Sequence, residues 1–294
     1  MRRGLRPHRT YAKRHTPIRR RPAVVLALAT AGALAVTGIA LAAASSTVSF
    51  QFLPSNPHSV VTSGRLLIGT NTAYTGTSDT TRIQLLLDDD FYFNPDSFPK
   101  CNPADISGNI TMQQAMQKCG PPAGAAKNAW LWPATSNFTN GGGTVDFAGS
   151  LATSCVLVFN GSGSTSEVLL FIRAKLEPDP SPMDCGGPTT NADGDTSFLL
   201  HGDLKRNPAI GADFTDPDNC SAPDPRRGCE IDFTNVSHAP TRLAKIGIRI
   251  FRGSYVRARC VDPPAGNRQW NLRTTFTYAN PAGTQTVNKS VPCT

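Results

Sequence analysis

Residues 245–251 read KIGIRIF. In an extended chain Ile246, Ile248 and Ile250 fall on one face, and Lys245, Gly247 and Arg249 on the other. Side chains alternate across a strand, so a period of two with one polar face predicts an antiparallel strand lying on a core. The alternation returns in 271–278, NLRTTFTY, where Leu272, Thr274, Phe276 and Tyr278 oppose Asn271, Arg273, Thr275 and Thr277. It returns again in 167–175, EVLLFIRAK, with Val168, Leu170, Ile172 and Ala174 on one side. Residues 155–159, CVLVF, are apolar on both faces and predict a central strand. Further strands are expected near 47–53, 65–70, 82–87, 143–148, 196–201, 230–236, 255–259 and 285–289. Short strands punctuated by Gly, Pro, Asn and Asp read as an all-β fold, an antiparallel β-sandwich.

One short helix interrupts the pattern. In 111–120, TMQQAMQKCG, Thr111 is a natural N-cap, and Gln114 stands three residues on at the capping-box spacing. Gly120 supplies the stop and Pro121 forbids continuation. Cys101 and Cys119 bracket this helix, so a bridge between them would anchor it.

The formal charge of +8 misleads. Nine Lys or Arg and no Asp or Glu lie in the first 44 residues, ahead of an apolar run from Ala23 to Ala44. A basic region, an apolar region and Ala42-Ala43-Ala44 make an export signal with an A-x-A cleavage site before Ser45. An uncleaved signal anchor is the alternative, and it would be the only membrane contact. Arg19-Arg20-Arg21 is a twin-arginine candidate, although Pro22 follows at once. Residues 45–294 keep 20 basic and 21 acidic residues, which gives no basic surface for nucleic acid. They are expected to form one domain, secreted or retained at the cell envelope.

Export also explains the cysteines. All eight (Cys101, Cys119, Cys155, Cys185, Cys220, Cys229, Cys260 and Cys293) lie after the signal, and an even count outside the cytoplasm reads as four disulfides. Locality favours Cys101–Cys119, Cys155–Cys185, Cys220–Cys229 and Cys260–Cys293. With no C-x-x-C pair and three histidines beyond the signal, a zinc site has little to build on. Residues 176–229 are rich in Pro, Gly and Asp and read as long stapled loops.

Several motifs recur together in one known family. Phe98, Pro99 and Cys101 follow an acid-tipped strand; Lys118, Cys119 and Gly120 close the helix. Tyr255, Val256, Ala258 and Cys260, then Phe276, Thr277, Tyr278 and Cys293, mark the C-terminal part. The chain resembles a family of secreted actinobacterial β-rich proteins that carry these cysteines. The resemblance implies a secreted β fold and no activity. Cys155, Cys185, Cys220, Cys229 and the longer loops depart from that pattern.

Candidate sites are few. Asp88-Asp89-Asp90 ends a strand; on a strand face Asp88 and Asp90 would converge, as the start of a calcium site or as the acid pair of a secreted glycan hydrolase. The plainer expectation is that these acids terminate the strand before the turn residues NPDSFP. Asp193 and Asp195 in NADGDTS form a weak calcium loop, since the glycine stands fourth and not sixth for an EF-hand. Apart from calcium no cofactor is expected. Trp130 and Trp132 would stack sugar rings if exposed, as in a carbohydrate-binding module, or would pack into the core. Residues 45–241 carry a net −9 and residues 242–294 a net +8. Arg249, Arg257, Arg259 and Arg273 therefore either pair with acidic strands or form a basic face for an anionic envelope polymer or glycan. No G-x-S-x-G elbow is present. The expectation is a non-catalytic structural or binding protein.

Overall fold

A computed structural model of the chain describes residues 44–54, 62–74, 78–88, 90–120, 128–132, 141–147, 150–163, 166–175, 196–205, 230–237, 241–260 and 268–293. In chain order the strands are β1 (Ala44–Leu53), β2 (Thr62–Ser63), β3 (Arg65–Tyr74), β4 (Asp79–Leu87), β5 (Phe91–Phe93), β6 (Gly141–Phe147) and β7 (Ser150–Gly161). There follow β8 (Glu167–Ala174), β9 (Thr196–Lys205), β10 (Glu230–Thr234), β11 (Thr241–Ile250), β12 (Val256–Ala258), β13 (Gln269–Ala279) and β14 (Gly283–Pro292). Among the described residues one α-helix, α1 (Met112–Cys119), lies between β5 and β6.

The all-β antiparallel fold with one disulfide-anchored helix is what the structure shows. Among the described residues eleven strands form one continuous, nearly closed sheet, in the order β1-β3-β11-β6-β7-β8-β9-β10-β4-β13-β14. A separate sheet, β2-β12-β5, packs Phe91, Phe93, Val256 and Ala258 into the same core. The alternation dictates the rolling. Ile246, Ile248 and Ile250 of β11 and Leu272 and Phe276 of β13 all enter one apolar cluster. Residues of β3, β4, β8, β9, β10 and β11 leave only a cavity of about 20 Å³ between them. Phe52, Phe91 and Trp270 meet edge to face, with centroids 5.2–5.8 Å apart. Each such buried side chain contributes roughly 1.5–3 kcal/mol.

β7 and β8 are buried on both faces, which is why CVLVF carries no polar side. Val156, Val158, Leu170 and Ile172 face the interior of the roll. Cys155, Leu157, Phe159, Leu169 and Phe171 face outward into a second cluster under α1 and Trp130. The helix has its expected capping box: Thr111 Oγ1 accepts from Gln114 N, and Gln114 Oε1 accepts from Thr111 N. Cys101–Cys119 ties it down, and Cys260–Cys293 fixes the end of β14. Cys155 is also disulfide-bonded. Its expected partner Cys185, and the Cys220–Cys229 pair, lie outside the described residues. Asn160, fully buried at the end of β7, donates its amide to the carbonyls of Pro95 and Pro99 and so holds the turn after β5.

Strand parity shapes the last contact. All ten neighbouring pairs in the large sheet are antiparallel. The first and last of eleven such strands must therefore run the same way, and β1 and β14 cannot join by an antiparallel ladder. At one end of this seam a side chain bridges them. Gln285 Oε1 accepts from Ser46 N at 2.8 Å, and Gln285 Nε2 donates to Ser46 O at 3.0 Å. The carboxamide of Gln285 thus stands in for a peptide group. Tyr278 Oη shares hydrogen bonds with Ser46 Oγ at 2.7 Å and Gln285 Oε1 at 3.0 Å.

Candidate functional site

On the outside of the roll, beyond the helix-covered strands, the same sheet carries small residues. Ser49 of β1, Gly69 of β3, Gly247 of β11 and Gly142 of β6 stand in register across four neighbouring strands. Their flanking residues Phe50, Ile68 and Ile248 point into the core. With no Cβ at three of these four positions, the outer surface is sunk by the depth of a side chain. A Cβ on Gly247 would meet only Gly142 O, at 3.7 Å. The result is a groove of about 690 Å³, within the usual range of ligand sites. It runs from β6 across β11, β3 and β1 to Trp270 and to Val291 and Pro292 at the end of β14. Among the described residues of its lining, Arg249, exposed on β11, is the charged one.

The other arginines singled out by the sequence are elsewhere. Arg259 Nε donates to Asp90 Oδ1 at 2.8 Å. Arg257 is half-buried on β12 of the three-stranded sheet, and Arg273 is half-buried on β13. Another basic residue of the C-terminal part also meets acids of earlier strands: Arg242 pairs with Asp146 and lies 4.0 Å from Asp79. Arg252 donates to the carbonyls of Asn128 and Trp130, and burial lowers its pKa.

Asp88 and Asp90 do not share a strand face, because the chain turns between them and Phe91 N bonds Asp88 O. Asp88 Oδ2 accepts from Asn271 N at 2.6 Å and locks β4 to β13; Asp90 locks the turn to Arg259. Both carboxylates are buried. Asp89, Asp193 and Asp195 lie outside the described residues. Among the described residues no group of three or more His, Cys, Asp or Glu is placed to hold a metal ion. Trp130 and Trp132 are 0 % and 7 % exposed, so they form no exposed stacking platform. Trp130 pairs with Phe159 beside β7, and Trp132 lies against Phe251.

A polar belt on the outer face of β8, β9, β10 and β4 was not visible in the sequence. Asp232, buried, accepts from Arg82 Nε and Nη2 at 2.7 Å and from Lys205 Nζ at 2.6 Å. Burial works to raise the Asp232 pKa, yet the hydrogen bonds and charges of Arg82 and Lys205 hold it below the ordinary value. Lys205 and Arg82 are raised in return by their bonds to Asp232. Buried Glu167 accepts from Gly163 N and lies 3.0 Å from His201 Nδ1. Inside, burial raises the phenol pKa values of Tyr255, Tyr74 and Tyr278.

Comparison with family models, with curated proteins and with solved structures finds no match for this chain. Among the described residues no helix is long and apolar enough to cross a membrane. The groove did leave a trace in the sequence: isolated Gly69 and Gly247 and the run Gly141-Gly142-Gly143 sit inside strand patterns, where glycine marks close backbone approach. Only the strand register aligns them.

Proposed function

We propose that the protein is an exported, non-catalytic binding protein of the cell envelope or extracellular space, and that it holds an extended anionic chain in the groove over β1, β3 and β11. The observation that supports this reading is the lining: among the described residues it is glycine and apolar surface with one charged residue, the exposed Arg249. The disulfides fit an oxidising compartment. Cleavage before Ser45 would leave the Ser46–Gln285 bridge whole. The buried tryptophans and the occupied Asp88 and Asp90 give less support to a sugar-stacking module or a glycan hydrolase.

Co-sedimentation of the full chain with a soluble polyglycerol-phosphate polymer tests this reading. Binding should weaken steeply with salt and fall about ten-fold in Arg249→Glu. Binding that ignores both salt and that substitution would contradict it.

A further inference from the structure

The groove meets the seam where β1 is bare. Ser46 turns its N–H and C=O toward β14, as its two bonds to Gln285 show. The register of β1 with β3 is unbroken, so every second residue points the same way: Val48, Phe50 and Phe52. Among the described residues no main-chain hydrogen bond crosses from these three to β14. Phe50 and Phe52 also line the groove, with Val291 and Pro292 of β14 across from them. A bare strand edge is a template for another strand.

We infer that this edge binds an extended polypeptide segment of a partner protein, which adds to β1 as a strand and completes the roll. Parity fits this occupant. A segment antiparallel to β1 is antiparallel to β14 as well, so a strand added beyond the Gln285 bridge, between Phe50–Phe52 and Val291–Pro292, would continue the alternation. The Gln285 carboxamide, which now mimics one peptide group, marks where the added strand would end. Main-chain bonds to Phe50 and Phe52 would give affinity, and the groove would sort alternate side chains. The partner's charge follows from the proposed function: an acidic side chain on the segment would meet Arg249. Strand addition itself does not need that reading.

The test selects peptides of about seven residues, the length of a strand, from a random displayed library against the full chain. Selected peptides should alternate apolar residues and carry an acid. Methylating alternate backbone nitrogens of a selected peptide should weaken binding at least about ten-fold. In the complex the amides of Phe50 and Phe52 should exchange about ten-fold more slowly. Gln285→Ala, which opens the end of the seam, should keep or raise affinity. Failure to select any peptide would overturn the inference, as would selected peptides indifferent to backbone methylation. Protection of Phe50 and Phe52 that grows only with protein concentration would assign the edge to a second copy and also overturn it. Polyglycerol phosphate binding without any selected peptide would sink strand addition and leave the anionic groove standing. Peptides that protect the edge but ignore Arg249→Glu would uphold strand addition and sink the anionic reading.

Discussion

One transverse row of the large sheet carries both a core and a groove. It passes through Ser49, Gly69, Gly247 and Gly142 and continues to Cys155 on β7. At Cys155 the outward side chains become large and apolar, and α1 and Trp130 lie over them. At the three glycines there is no side chain to bury, and among the described residues nothing lies over them. Backbone pairing is the same on both sides of the boundary. Side-chain volume on the outer face alone decides which half is sealed. The two halves should therefore answer mutation in opposite ways.

The largest effect is expected under the helix. Phe159→Ala should cost about 3–5 kcal/mol, because Phe159 is fully buried beside Trp130 and Leu157. Leu67→Ala on the open half should cost a small fraction of that, since Leu67 is only partly buried. Urea unfolding of both variants measures the contrast, and similar losses would break the comparison.

The polar belt should respond next, and its signature is pH. Removing the Asp232 charge with Asp232→Asn should cost about 2–3 kcal/mol near neutral pH, as expected for hydrogen bonds to a charged group. A depressed carboxyl pKa stabilises the fold above its unfolded value, 3.8, and that contribution fades as pH falls through the folded value. The stability gap between wild type and Asp232→Asn should therefore narrow below about pH 4. Melting curves from pH 7 to pH 3 would show it, and a constant gap would refute it.

The seam should be softer still. Gln285→Ala removes two hydrogen bonds to Ser46 and should cost about 1–2 kcal/mol. Faster exchange should be confined to Ser46 and its neighbours on β1.

The smallest effect is the most specific. Gly247→Ala should leave stability within about 0.5 kcal/mol, because its Cβ meets open space, while narrowing the groove. Gly141→Ala should behave differently, since its Cβ would lie 1.8 Å from Gly247 O and the strands must separate. Thermal melts of the pair would distinguish an open glycine from a packed one.

Much of the fold could be read from alternation. KIGIRIF, NLRTTFTY and CVLVF became β11, β13 and β7, because burying one face or two leaves a direct mark on residue order. Thr111 and Gln114 announced the helix, since capping is local chemistry. The two short strands β2 and β5 escaped, being too brief to show a period. The groove was hidden for another reason. Gly69, Gly142 and Gly247 lie far apart in the chain, and only strand order and register set them side by side. β4 ends at Leu87 and the chain turns at Asp88 and Asp90, as the plainer reading of these acids expected; what the sequence did not show is that each binds a different neighbour.

Among the described residues no main-chain ladder joins β1 to β14 beyond the Ser46–Gln285 bridge. Residue-resolved amide exchange of the full chain tests it most directly. Thr47, Ser49 and Gln51, which face β3, should be protected, while Val48, Phe50 and Phe52 should exchange far faster. Equal protection at all six would mean that β1 already has a main-chain partner, and would contradict the account.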